Sequence, residues 1–157
     1  MSVGNPLYRL TTIIDAVAPA FDLLVRLYVA EVFFRSGLVK IKSLDATLAL
    51  FENEYAVPLL PYELAAYVGT AIELVVPVFL VLGLGARAAA LLLFVFNAIA
   101  VISYPDISAA GIKDHMLWGF LLAAIFFHGP GNWSLDRFLL GRMQRRGAQP
   151  RAVSIAK

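Results

Sequence analysis

The chain contains no cysteine, which excludes disulfides, thiolate catalysis and Cys-ligated metals or iron–sulfur clusters. Charge is also scarce. Asp, Glu, Lys and Arg make up 15% of residues, against about 25% in an ordinary soluble domain. The only histidines are His115 and His128, about 20 Å apart along one helix. They cannot clamp one haem, so a bis-His cytochrome is excluded. The acidic residues are scattered at helix ends, and no metal site can be read from them. The first residues, MSVGNPLYRL, lack the basic start, short apolar core and small-residue cleavage site of a signal peptide. The chain is expected to be inserted by its own first span. No internal repeat or separate soluble domain is visible.

What is present is apolar. Hydrophobic residues make up 61% of the chain and the mean hydropathy is +0.79, values of the membrane class. Four runs approach the ~20 residues needed to cross the hydrocarbon, and the spacing predicts spans over 19–39, 62–84, 86–104 and 109–128. Pro19 suits the first turn of the first span. Pro77 falls inside the second and removes one backbone bond, and Pro105 stops the third. The fold class expected is all-α: an integral membrane four-helix bundle within residues 1–140. Its additions are a short amphipathic helix in the first extramembrane loop and a C-terminal interfacial helix. In the first loop, SLDATLALFENEY places Leu44, Leu48, Phe51 and Tyr55 on one helix face behind a Ser43 cap. Such a helix lies on the membrane or over the bundle mouth. Residues 141–157 read as a basic, disordered tail.

Arg9, Arg87, Arg137, Arg142, Arg145, Arg146, Arg151 and Lys157 fall on one side of four spans, against Arg35, Lys40, Lys42 and Lys113 on the other. Positive-inside then puts both termini in the cytoplasm, and the membrane expected is a bacterial plasma (inner) membrane.

The first span, LLVRLYVAEVFFRSGLVKIKSL, carries charges that hydrocarbon resists. Each costs from ~2.5–3.5 kcal/mol on insertion scales to more than ~10 in simulations. Asp22–Arg26 and Glu31–Arg35 are spaced i, i+4 with the acid first, the better order on one helix face. Counted from the span centres, Arg26, Glu31, Glu73 and Asn97 share a depth. The expectation is that Arg26 pairs with Glu73 across helices. Glu31 then pairs with Arg35 or stays protonated, on a surface covered by another helix, a second copy or another subunit. Two readings stand side by side: the charges fix helix register, or Arg26, Glu31, Glu73 and Asn97 form a ligand or proton-relay site. Arg35, Lys40 and His115 are rim candidates, and His128 reads as interfacial. No cofactor is identified. The aromatics (Phe33, Phe34, Phe94, Phe96, Trp118, Phe126, Phe127) read as lipid- or bundle-facing, and a quinone is the ligand some of them would suit.

The segment GPGNWSLD ends the fourth run. Gly129 and Gly131 permit the positive φ that closes a helix, and Pro130 forbids its continuation. Trp133 suits the interface. Ser134 or Asp136 can cap a following helix, LDRFLLGRMQRR, whose Leu135, Phe138, Leu139 and Met143 form an apolar anchoring face.

Three of these stretches resemble the DoxX family of small four-helix membrane proteins. RLYVAEVFFRSGLVKI is similar to its first-helix pattern, at Arg26, Phe33, Gly37 and Lys40. AIELVVPVFLVLGLGARAAAL resembles its Glu-then-Gly-Leu pattern, at Glu73, Gly83, Leu84 and Arg87. HGPGNWSLDRFL resembles its Gly-Pro-Gly…Ser-Leu-Asp ending, at Gly129, Pro130, Gly131, Ser134, Leu135 and Asp136. The likeness covers about Leu23 to Leu139. Glu31 after Ala30, and Arg35 beside Ser36, depart from the pattern and suggest a subgroup with its own ligand or partner. The resemblance implies an accessory protein of redox metabolism that supports a partner oxidoreductase or handles a quinone-like molecule. Alternatives are an independent membrane enzyme or proton-relaying quinone-binding subunit, and a small-molecule carrier or assembly factor. The partners expected are the lipid bilayer, a soluble or membrane redox enzyme and a further copy of the chain, with no nucleic acid.

Overall fold

A computed structural model of the protein describes residues 6–147, which form six helices and, among the described residues, no strand. They are α1 (Pro6–Lys42), α2 (Leu44–Asn53), α3 (Tyr62–Leu82), α4 (Ala86–Ser103), α5 (Ala109–His128) and α6 (Leu135–Gly147). The expected all-α membrane architecture is what the structure shows. α3, α4 and α5 are each long and apolar enough to cross a membrane. α1 is longer, at 37 residues, but Asp22, Arg26, Glu31, Arg35, Lys40 and Lys42 crowd it from Asp22 onward.

α1 packs on α3, α3 on α4, α4 on α5 and α5 back on α1, which closes a ring of four helices. Val29, Ala30 and Phe33 of α1 meet Leu80 of α3, Ala89, Ala90 and Leu93 of α4, and Leu122 and Ile125 of α5 in one buried cluster. α1 and α3 approach closely because Gly37 has no side chain. A Cβ there would lie 2.9 Å from the Leu74 side chain and 3.0 Å from the Glu73 Cβ.

Two boundaries differ from expectation. α1 begins at Pro6 rather than near Pro19, so Pro19 lies inside the helix. The carbonyl it leaves without a donor is that of Asp15, on a stretch exposed from Tyr8 to Ala18, where water can satisfy it. At the other end, α6 is helical as far as Gly147, so residues 141–147 are not the disordered tail expected. The rest of that tail, 148–157, lies outside the described residues.

α2 takes the second of its two expected positions, over the bundle mouth. The Ser43 side chain accepts from the Ala46 N–H and caps it. Its Phe51 is buried against Ala65 and Ala66 of α3.

Candidate functional site

The charged residues of α1 separate towards the two ends of the bundle. At the end that holds the α3–α4 turn, Arg26 is fully buried. Its guanidinium donates to the carbonyls of Leu80 (3.4 Å), Val81 (3.2 Å) and Trp133. Arg26 thus binds the C-terminus of α3, where the helix dipole favours a cation, and fastens the loop after α5 to it. Gly83 (φ +66°) and Gly131 (φ +76°) leave room here. A Cβ on Gly83 would strike Arg26 and Ser134, and one on Gly131 would strike the Asp22 carboxylate. The Asp136 carboxylate accepts from the N–H groups of Gly85 (2.8 Å) and Ala86 (3.0 Å), so it caps α4 rather than its own helix. Ser134 caps α6 by accepting from the Arg137 N–H at 3.3 Å.

The expected Arg26–Glu73 pair is not formed. Glu73, also buried, is bound by Lys40, whose Nζ donates to both carboxylate oxygens at 2.6 Å. The Ser36 hydroxyl donates to Glu73 Oε1 at 3.2 Å and accepts from Lys40 at 3.1 Å. The reason is directional. Helical side chains lean toward the N-terminus of their helix. On α1 that carries Arg26 out toward the bundle end and brings Lys40, from the last turn, back inward. On the antiparallel α3 it tips Glu73 toward Lys40.

Asn97 and His115 join α4 to α5. Asn97 Nδ2 donates to the His115 carbonyl at 2.9 Å, which turns Asn97 Oδ1 toward His115 Nδ1 at 2.7 Å. His115 therefore carries its proton on Nδ1 and leaves Nε2 as an acceptor. The Glu31–Arg35 pair (3.4 Å) lies apart from all of this on the outer face of α1. Its side chains are 60% and 79% exposed, respectively.

Lys40, Ser36, Glu73 and His115 line a cavity of about 440 Å³ under α2, within the usual range for small-molecule sites. Its floor is aromatic: Phe33 meets Phe96 and Trp118 edge to face, and Trp118 meets His115 likewise at 4.8 Å. Over it, Phe51, Tyr55 and Tyr104 form a stack with centroid spacings of 4.7 and 5.1 Å. Tyr104 donates to Glu54 at 3.2 Å, which raises its phenol pKa. Burial is the main cause of a raised Tyr55 pKa, with Glu73 next. Both phenols stay protonated at neutral pH. The Ser103 hydroxyl, on the cavity wall, is buried without a partner among the described residues.

Of the seven residues singled out in the sequence, four thus converge. Glu73, Lys40 and His115 line the cavity, and Asn97 orients His115. Arg26, Glu31 and Arg35 do not belong to it. Ser36, Tyr55, Ser103 and Tyr104 were missed. Ser36 had a signal, its i, i+4 spacing from Lys40, whereas Ser103 and Tyr104 reach the site only through tertiary packing.

A sequence model of the DoxX family matches residues 21–105, more than half of the chain. The protein belongs to the DoxX family. No curated protein and no solved structure matches it. The matched residues discussed above fall into two groups. Arg26 and Gly83 lie at the end that holds the α3–α4 turn, where Gly131, Ser134 and Asp136, beyond the matched range, meet them. Gly37, Lys40 and Glu73 build the seam and ion pair beside the cavity.

Proposed function

We propose that this DoxX protein is a membrane accessory protein of redox metabolism that holds a quinone-like molecule in the cavity under α2. The observation that carries the reading is the composition of the cavity wall. Flat aromatic surfaces at Phe33, Phe96, Trp118 and Tyr55 suit a planar ring. Lys40 and the Ser103 hydroxyl, which has no partner among the described residues, can donate to ring carbonyls, and His115 Nε2 can accept from a ring hydroxyl of the reduced form. A volume of about 440 Å³ accommodates one such head group. In this arrangement the Lys40–Glu73 pair is structural and polarising at once: it holds α1 to α3 and presents a cation beside an apolar slot. The protein is read as crossing a bacterial inner membrane four times, with α1 as the fourth crossing helix and both termini in the cytoplasm.

Trp118 makes the test direct. Titration of the purified protein with a short-tailed benzoquinone or naphthoquinone should quench its fluorescence saturably. The quench should vanish in Trp118→Phe and weaken in Ser103→Ala. Trp133, at the opposite end, stays as an internal reference. Linear, unsaturable quenching, or quenching unchanged in Trp118→Phe, would overturn the reading. For topology, a cysteine at Glu54 should react with an impermeant thiol reagent in intact cells, and cysteines at Ser2 and Gln149 should not.

A further inference from the structure

From Tyr8 to Ala18, α1 contributes no buried side chain to the bundle. Asp22 sits beside Gly131 at the bundle end, and the residues before it project beyond that end by about 24 Å at 1.5 Å per residue. Every residue from Tyr8 to Ala18 is exposed. The projection is nevertheless not polar all round. Leu10, Val17 and Leu24 recur every seven residues, and Ile14, Phe21 and Tyr28 do the same on the adjoining line. Alternating three- and four-residue steps of apolar side chains are the signature of a coiled-coil seam. All six are exposed, from 47% at Tyr28 to 66% at Phe21. Thr12, Asp15, Asp22 and Arg26 lie on the opposite side of the helix, and the last two turn into the bundle.

The next positions on the same two lines are Glu31 and Arg35. One strip of one unbroken helix therefore begins as bare hydrocarbon beyond the bundle and ends as a bare ion pair on its outer face. Each half is unfavourable where it lies. The apolar part has no core to enter, and the charged part faces the membrane's apolar interior.

We infer that this strip is the contact between two copies of the protein, with the α1 helices paired in parallel about a two-fold axis. Three features favour a second copy over another occupant. The apolar repeat is self-complementary, since a two-fold axis sets like positions against one another. The charges can close into one cluster as well: the axis sets Glu31 against Glu31 and Arg35 against Arg35, but each Arg35 lies one turn from both Glu31 carboxylates, so the two intrachain pairs alternate in sign across the axis and leave the lipid together. Finally, α1 runs without interruption from Pro6 to Lys42, which keeps the projecting stripe in line with Glu31 and Arg35 instead of lying flat on the bilayer.

The absence of native cysteine makes the test clean. Val17→Cys and Leu24→Cys, each alone in the full chain, should give oxidised dimers of twice 17.1 kDa in native membranes. Thr12→Cys and Asp15→Cys, on the far side, should give several-fold less. Equal crosslinking of both faces, none on either, or a product of another mass would overturn the inference. So would a fluorophore at Val17 that reports lipid contact without crosslinking. A second measurement addresses the charges. Glu31→Arg should shift the native mass spectrum toward monomer, and Glu31→Arg with Arg35→Glu should restore the dimer. If the reversed pair stays monomeric, the charge cluster is refuted.

Discussion

The two ends of the bundle hold buried charge in different ways. At the end with the α3–α4 turn, the two terminal nitrogens of Arg26 are bonded by main-chain carbonyls, while its buried Nε has no partner among the described residues, and Asp136 is satisfied by main-chain N–H groups. Under α2, Lys40 and Glu73 satisfy one another, with Ser36 between them. A charge bonded to backbone fixes chain geometry and leaves little free for a ligand. A charge bonded to another side chain can be re-bonded when a ligand arrives. The first end is built as a clasp and the second as a site.

That contrast is most sharply tested at the ion pair. Lys40→Met or Glu73→Leu alone strands a buried charge and should destabilise the protein by about 3–5 kcal/mol. The double variant should regain part of that loss without regaining quinone binding. Detergent-titrated unfolding and Trp118 quenching read the two effects. Full recovery of binding in the double variant would make the α2 end a clasp like the other.

Arg26→Leu should cost about 2–4 kcal/mol, since carbonyls of α3 and of the Trp133 loop lose their donors. The affinity of the folded fraction should be unchanged. An affinity loss matching the stability loss would show that the ends are not separable. Asp136→Ala should be milder, roughly 0.5–2 kcal/mol for a lost helix cap, with protease sensitivity rising first around the α3–α4 turn. The smallest effect has the opposite sign. Ser103→Ala removes a buried hydroxyl that has no partner among the described residues and should leave the ligand-free protein unchanged or more stable by up to about 1 kcal/mol, while weakening quinone binding. A loss of stability without ligand would mean that the hydroxyl already has a structural role.

Local pattern made most of the helices legible. Ser43 with the Leu44, Leu48, Phe51 and Tyr55 face describes α2, and the apolar runs ended by Gly83 and Pro105 describe α3 and α4. The partners of the charges were not legible, because depth was counted from span centres and side-chain lean was neglected. Taking the first span to run from Pro19 centres it near Val29, about one turn before the middle of the stretch of α1 that packs in the bundle, Asp22 to Lys42. Arg26 was thereby moved toward the middle and Lys40 was left at the rim. Ser134 and Asp136 both read as caps for the helix that follows, because such caps are local, and Ser134 takes that place. The bonds of Asp136 to Gly85 and Ala86 depend on where the chain returns. The cavity's polar set was partly visible as Glu73, Asn97, Lys40 and His115, but nothing short of the packed structure brings Tyr55, Tyr104 and Ser103 over them.

Gly37 has a consequence beyond close packing. At 100° per residue it lies roughly 140–180° around α1 from the line of Leu10, Val17 and Leu24. With Leu74 and Glu73 against it, it fixes the rotational phase of the whole helix. A single angular coordinate therefore decides both how far Lys40 swings into the cavity and which way the outer strip faces. A methyl group at Gly37 turns α1 as a rigid rod, and a small torque at that point is felt at both surfaces, the pocket and the outer face, which share no residue.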